Sequence, residues 1–425
     1  MSDRHRPGSS SGLPTLERDL RSILLVQGMR AFLYGFGSVL IGASLARAGL
    51  SDVRVGLVFT AMLAGMALAS VGVGLTGDRL GRRRTYAGLL LVMGVAGTVF
   101  ALTDSFAALA IAALTGTLST DPNESGPITS LEQAMIGEAP ADSRLRVFGR
   151  YNAIAYLAGA LGALAAAGVA ELGRLSPGLP PAQRWLLVFP LIAIACAWRA
   201  TRLSASVEVH TGEMHPQADR PRRVPPVVVR LAGLFALDSF AGGFIVQTFI
   251  VFWFGRKFGA SPELMGSVFF AAGLLQAASS VIASRIGTRF GLLNTMVFTH
   301  IPSNVLLVAV PFAPNLPMAI ALLLARYALS QMDVPARQAF VAAVVEGPER
   351  TAAAAYTNTA RYVARPAGPF AAGALMRIAL GAPFVVAGVV KIVYDALLFA
   401  TFRRVPLPSG SRSSSSRSSS QRSSS

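Results

Sequence analysis

Residues 74–84 read Gly74-Leu75-Thr76-Gly77-Asp78-Arg79-Leu80-Gly81-Arg82-Arg83-Arg84. The run is a short basic interruption between two long apolar stretches, 53–77 and 85–103. A helix of about 20 mostly apolar residues crosses a hydrocarbon core of about 30 Å. The run is therefore read as the turn between two membrane crossings. Gly81 permits a tight turn there, and Gly74 lets a neighbouring helix come close. Arg82, Arg83 and Arg84 hold the turn on the cytoplasmic side, because basic residues mark loops that are not translocated.

Working outward from this turn, ten more stretches of the same kind follow. The twelve expected spans are 22–46, 53–77, 85–103, 105–128, 147–171, 185–203, 227–254, 264–286, 292–312, 316–337, 351–376 and 383–402. Their abundant Ala and Gly suit close helix packing in lipid. The composition agrees: of 425 residues, 53% are hydrophobic and 14% charged, against about 25% charged in a soluble domain. A β-barrel would alternate in polarity, and Leu89–Val99 does not. The first 21 residues precede an apolar stretch too long for a signal peptide, so an uncleaved first helix is expected.

The net charge of +17 first suggests nucleic acid. Its placement says otherwise. Of 38 Lys and Arg, 25 fall in the loops and span ends on the side of the 74–84 turn and 7 in the loops and span ends opposite. The charge reads as topology and contact with anionic lipid, with both termini cytoplasmic and no nucleic-acid partner.

The chain also reads as two copies of one unit. Gly49, Ser51, Gly56, Arg79 and Gly81 recur 210 residues later as Gly259, Ser261, Gly266, Arg289 and Gly291. Arg144, Asn152, Tyr156 and Gly162 recur 206 later as Arg350, Asn358, Tyr362 and Gly368. The expected organisation is a cytoplasmic segment 1–21, a six-helix bundle 22–203, a cytoplasmic linker 204–226, a second bundle 227–404 and a disordered Ser/Arg tail 405–425. Parallel repeats of this kind produce a pseudo-twofold axis along the membrane normal.

The 74–84 run resembles the G-x-x-x-D-R-x-G-R-R loop signature of the major facilitator superfamily, and matches it at every fixed position. Residues 284–291 resemble a decayed second copy, with Thr288 in place of the acid. The resemblance implies an all-α polytopic protein of twelve transmembrane helices in two pseudo-symmetric six-helix bundles. It implies that Gly74, Asp78, Arg79, Gly81, Arg82 and Arg83 form a conformational latch. Asp78 would there pair with basic groups or a helix N-terminus of the other half, an arrangement helix dipoles favour. It also implies a central cavity walled by spans 1, 4, 7 and 10. Gly368-Pro369-Phe370-Ala371-Ala372-Gly373 resembles the G-P-x-x-G-G element of antiporters in this superfamily. It lies in span 11 instead of span 5, and a small-residue packing face accounts for it equally well.

Charged side chains at mid-membrane cost about 2.5–3.5 kcal/mol each on insertion scales, so those that persist face a partner or a cavity. At 1.5 Å per residue, Asp238, Arg326 and Arg361 lie about 15–16 Å deep in their spans. Asp121, Glu124, Asp238 and Asp333 are the candidate coupling carboxylates. The candidate substrate-cavity residues are Arg30, Gln247, Arg326, Tyr327, Gln331, Asn358, Arg361 and Arg365. For Asp238 the alternative is a static partner for an arginine. For Arg326 and Arg361 it is inter-helix ion pairing instead of an anion clamp. Pro122, Gly126 and Pro127 predict a bent span 4 with a polar notch. Lys391 and Asp395, spaced i,i+4, read as a local pair. His300 reads as structural.

No nucleotide-binding or hydrolase motif appears, and the single cysteine, Cys196, excludes thiolate metal centres and disulfides. No cofactor and no metal site are expected. The expected function is secondary active transport of a small molecule by alternating access, coupled to protons and directed outward, in a monomer of the cytoplasmic membrane. The alternatives are a proton-coupled importer of an organic anion or metabolite, and a non-transporting receptor or scaffold with the same fold.

Overall fold

The computed structural model describes residues 12–119, 126–137, 141–176, 178–208, 225–344 and 350–404. Among them there are helices and no strands. Eight crossings are single helices: α1 (Gly12–Arg47), α2 (Asp52–Leu80), α3 (Arg82–Leu102), α6 (Ala141–Leu175), α7 (Val188–Thr201), α10 (Pro262–Phe290), α11 (Leu292–Ala309) and α16 (Ala382–Phe402). The other four are each broken into two pieces. Crossing 4 is α4 (Phe106–Leu114) and α5 (Pro127–Gly137), and crossing 7 is α8 (Pro226–Gly243) and α9 (Gln247–Phe258). Crossing 10 is α12 (Leu316–Leu329) and α13 (Asp333–Val344), and crossing 11 is α14 (Arg350–Ala364) and α15 (Ala367–Met376). The twelve-crossing reading stands, with these four no longer continuous.

Three of the four breaks have a local cause in the sequence. Pro366 cannot donate to the helix ladder and disfavours helix at the residue before it, so α14 stops at Ala364. In crossing 4 the helix ends well before the expected prolines, at Gly116 (φ +68°). A Cβ on Gly116 would lie 2.2 Å from the Gly65 carbonyl, so α2 presses directly on the break. Crossing 7 breaks after Gly242-Gly243, and α9 restarts at Gln247. Broken backbone at membrane depth is tolerated only where protein or a water-lined cavity covers it. The first helix also starts ten residues earlier than expected, at Gly12. Asp19 on that extension is buried and accepts bonds from the Ser204 backbone N–H at 3.2 Å and from the Ser204 hydroxyl.

The internal repeat appears in the backbone. α2 and α10 are both 29 residues long and offset by 210. Gly49 and Gly259 turn with φ +67° and +66°, and Gly81 and Gly291 with +88° and +84°. L-residues with a Cβ rarely adopt such values. The 74–84 run is thus the last turn of α2 followed by a one-residue corner, and not an extended loop.

The halves meet most closely at the end away from that corner, called the far side here. A Cβ on Gly56 of α2 would lie 2.6 Å from the Pro369 carbonyl oxygen and 2.9 Å from Gly373 Cα. A Cβ on its repeat mate Gly266 of α10 would lie 2.3 Å from the Ala163 carbonyl oxygen and 2.7 Å from Ala167 Cβ. Pro369 and Gly373 are themselves the repeat mates of Ala163 and Ala167, so one contact is made twice about the pseudo-axis. Within each half, Gly162 meets Phe32 and Gly368 meets Phe240 in the same way. The Gly-Pro element of α15 is accordingly a packing face. Arg256 and Asp52 pair across the far-side seam at 3.4 Å.

This seam gives a direct prediction. A Gly56→Val side chain meets backbone atoms that cannot swing aside, so it should wedge the far side open. Thr248 is buried at the seam, its carbonyl 2.6 Å from a Cβ on Gly42. In a Cys196→Ala background, Thr248→Cys should be inert to a membrane-impermeant maleimide and become reactive when Gly56→Val is added. Equal labelling of the two proteins would contradict the seam.

Candidate functional site

The first half holds a sealed ionic cluster. Arg30 of α1 bonds Glu132 of α5 at 2.6 Å. Glu132 also accepts from Tyr151 of α6 at 2.6 Å and from Tyr86 of α3 at 2.7 Å. Gln27 bonds the same guanidinium, which also lies 5.2 Å from the Tyr34 ring centroid. Arg30 is 2% exposed and Glu132 0%. The cluster joins four crossings, and Glu132 accepts from three side chains. Arg30, expected to wall a substrate cavity, is instead an ion-pair partner inside one bundle.

The second half holds an open-ended cluster. Asp238 of α8 bonds Lys391 of α16 at 2.5 Å and lies 3.5 Å from Arg337 of α13. Arg337 bonds Asp333, one turn earlier in the same helix, at 3.1 Å. Arg361 of α14 lies within electrostatic reach of Arg337, Asp238 and Asp333. Ser239, next to Asp238, donates to the Arg361 carbonyl at 2.9 Å, which locks α8 to α14. Behind this group, Asp395 accepts from His300 at 2.9 Å and from Asn304 at 3.3 Å. Lys391 and Asp395 thus take separate partners and are not the local pair expected. His300 has the structural place expected of it.

The remaining expected residues are scattered. Gln247 donates to Ser38 of α1 at 2.8 Å, across the two halves. Tyr156 of α6 donates to Gln331 at 3.1 Å, also across them. Tyr327 is buried with its ring edge-on to Phe269. Arg326 lies over the Tyr327 ring, and its carbonyl accepts from Ser303 of the peripheral α11. It does not join the Asp238 group. Asn358 and Arg361 share one face of α14, with Arg365 just past its end, and Asn358 is exposed. Asp121 and Glu124 lie outside the described residues. Gly74, Asp78 and Arg79 belong to α2, but the side chains of Asp78 and Arg79 are likewise outside the description.

Arg82 and Arg83 do have visible partners. Glu208, just beyond crossing 6, accepts from the Arg82 N–H at 2.6 Å, the Arg83 N–H at 3.3 Å and Arg83 Nε at 2.9 Å. These two arginines therefore clamp the start of the linker within their own half. Burial alone would push the Glu208 carboxyl up. The Arg83 side chain and the two N–H donors outweigh it and hold the group below the ordinary carboxylate value. A lowered native pKa adds stability above the unfolded value and loses it as pH falls through the native one. Amide exchange of residues 203–208, corrected for intrinsic rate, should lose protection on acidification below the carboxylate range. Glu208→Gln should lack that protection at neutral pH.

Sequence reasoning missed Glu132 because the fourth span was drawn to end at 128. The break at Gly116 shifts the membrane portion to 127–137. Pro127 at the first helical position followed by Ile128, Leu131, Met135 and Ile136 at helical spacing was the available signal. Removing one partner of a buried pair leaves the other uncompensated and costs about 3–5 kcal/mol. Glu132→Ala should therefore lower the melting temperature sharply. Arg30→Met with Glu132→Leu should cost less than either change alone, read by thermal unfolding in detergent.

Comparison with known proteins fits this architecture. The family model described as Major Facilitator Superfamily matches residues 23–230 and again 231–424. An uncharacterized membrane protein of Saccharomyces cerevisiae is 25% identical over 421 residues, covering 91% of this chain and 94% of its own. Among solved structures, an inward-facing, unoccupied bacterial homolog of the human lysosomal transporter Spinster aligns with TM-score 0.71 and 16% identity over 93% and 98% of the two chains. A D-xylose–proton symporter aligns with TM-score 0.70 and 16% identity over 91% and 98%. The nucleoside transporter NupG aligns with TM-score 0.68 and 13% identity over 91% and 99%. With two consecutive matches spanning the chain and twelve crossings in two repeated halves, the protein belongs to the major facilitator superfamily.

Proposed function

We propose that the protein is a proton-coupled secondary transporter that exports a small organic molecule across the cytoplasmic membrane, acting as a monomer. Bundles 22–203 and 227–404 rock against each other about the seam, joined by the linker 204–226. Asp78 and the arginines beside it latch one of the two arrangements. The outward direction rests on the resemblance to efflux members of the family, taken from the 74–84 run, the Gly368–Gly373 element and Asp238 together.

One observation carries the coupling: Asp238 is shared by two cations on different helices, Lys391 of α16 and Arg337 of α13. A proton delivered to Asp238 removes the charge that holds both. Arg337 keeps Asp333, whereas Lys391 loses its bonded carboxylate. The tie between crossings 7, 10 and 12 is weakened on one side only. A ligand or proton shifts a conformational equilibrium only through such a difference between states.

Ligands that raise the melting temperature of the purified protein provide the flux assay. In proteoliposomes, their accumulation should follow an imposed pH gradient. Asp238→Asn should retain exchange of the ligand and lose gradient-driven accumulation. Flux indifferent to the gradient would remove proton coupling, and binding without any flux would favour a receptor.

A further inference from the structure

The carboxylates of the second-half cluster are fully committed. Asp238 serves Lys391 and Arg337, Asp333 serves Arg337, and Asp395 serves His300 and Asn304. Arg361 is left over. Among the described residues no carboxylate lies within ion-pairing distance of it. Its Nε is buried without a hydrogen-bond partner. The cation of Arg337 acts on it electrostatically, against the weaker pull of Asp238 and of Asp333. A guanidinium with a buried edge in this position is costly unless something anionic completes it.

The surroundings show where that anion would sit. Val363, two residues on, is 69% exposed and marks the outward, lipid-covered face of α14. Arg361 is on the opposite face, with the exposed Asn358 one turn before it. That face is bordered by α8 and α13, and α14 also touches α2 of the first half. The contact with α2 brings α14 beside the first half. An arginine edge with a free Nε matches a planar two-oxygen acceptor in a bidentate way. Asp238 and Asp333 stand close by, so a second negative charge on the ligand would be repelled.

We infer that Arg361, with Asn358 beside it, is the binding point for a small monoanionic organic carboxylate in the second half of the transporter. The inference rests on the transport reading for its purpose but not for its test, since binding is measurable without flux. The carboxylate takes the place of the missing counter-ion of Arg361.

The test reads the local field and the ligand together. In a Cys196→Ala background, Asn358→Cys would be alkylated with iodoacetate and with the neutral iodoacetamide. The rate ratio of anionic to neutral reagent should fall severalfold when Arg361→Gln is added. It should be nearly unchanged by Arg361→Lys, which keeps the charge. Acetate and benzoate should slow the alkylation of Asn358→Cys, and acetamide and benzamide should not. Arg361→Lys should weaken that protection, because the ammonium cannot bind in a bidentate way. A ratio unmoved by Arg361→Gln, or equal protection by each acid and its amide, overturns the inference. Should Arg361→Gln fail to fold, the acid–amide comparison on Asn358→Cys alone decides. Carboxylate protection with no proton-linked flux would leave the site standing and remove the transport reading instead.

Discussion

A charge inside a bilayer has to be answered by another charge, and the placement of that answer organises this molecule. Moving a guanidinium or carboxylate out of water is tolerated only with close partners. In the first half the answer is local and ion-paired: Glu132 takes Arg30 and two tyrosines from three further crossings. In the second half it is shared: one carboxylate serves two cations, and a third cation, Arg361, is within electrostatic reach without an ion pair among the described residues. A locally paired cluster rigidifies the bundle that contains it. A shared one can be redistributed by a single proton or a single anion.

Redistribution matters only if the elements that carry the charges can shift. The four broken crossings supply that freedom. Asp333 opens α13 directly after the break in crossing 10, and Arg361 lies just before the break in crossing 11. Asp238 sits one turn before the break in crossing 7. Opposite them, the far-side seam is made of glycine-to-backbone contacts repeated about the pseudo-axis, at Gly56 and Gly266. Such contacts admit almost no intermediate spacing. The seam is therefore either closed or parted, which suits a protein whose halves move as bodies.

The amino-acid sequence was most informative where the physics is additive. Hydropathy sums over windows, so the twelve crossings were legible, as were the repeat and the turn at Gly81. It was least informative where a single backbone torsion decides. Gly116 and Pro366 break helices that a hydropathy window runs straight through. The first of these breaks moved Glu132 from an expected loop into the core of the bundle. Partners were also illegible, because they depend on which faces meet. Lys391 and Asp395 look paired on a helical wheel, yet they turn to different neighbours, Asp238 and His300. Arg30 and Arg361 looked alike as embedded arginines, and packing separates them completely.

The repeat explains why the two arginines differ. Gly159 and Ala155 of α6 are the repeat mates of Arg365 and Arg361 of α14. In the first half Ala155 is 0% exposed, and Gly159 lets α1 approach so closely that a Cβ on Gly35 would lie 1.9 Å from the Gly159 carbonyl oxygen. Small residues close that face of crossing 5 against crossing 1. In the second half the same two positions carry long cationic side chains, yet crossing 11 still packs on crossing 7 through the equivalent backbone contact. Contacts are kept nearby at Gly243 and Gly368, where a Cβ on Gly243 would lie 2.3 Å from the Arg365 carbonyl oxygen. Two copies of one fold have thus diverged at equivalent positions, one toward packing and one toward charge. The second half carries cations at positions where its first-half counterpart has only small residues, so ligand chemistry that uses this charge is one-sided about the pseudo-axis.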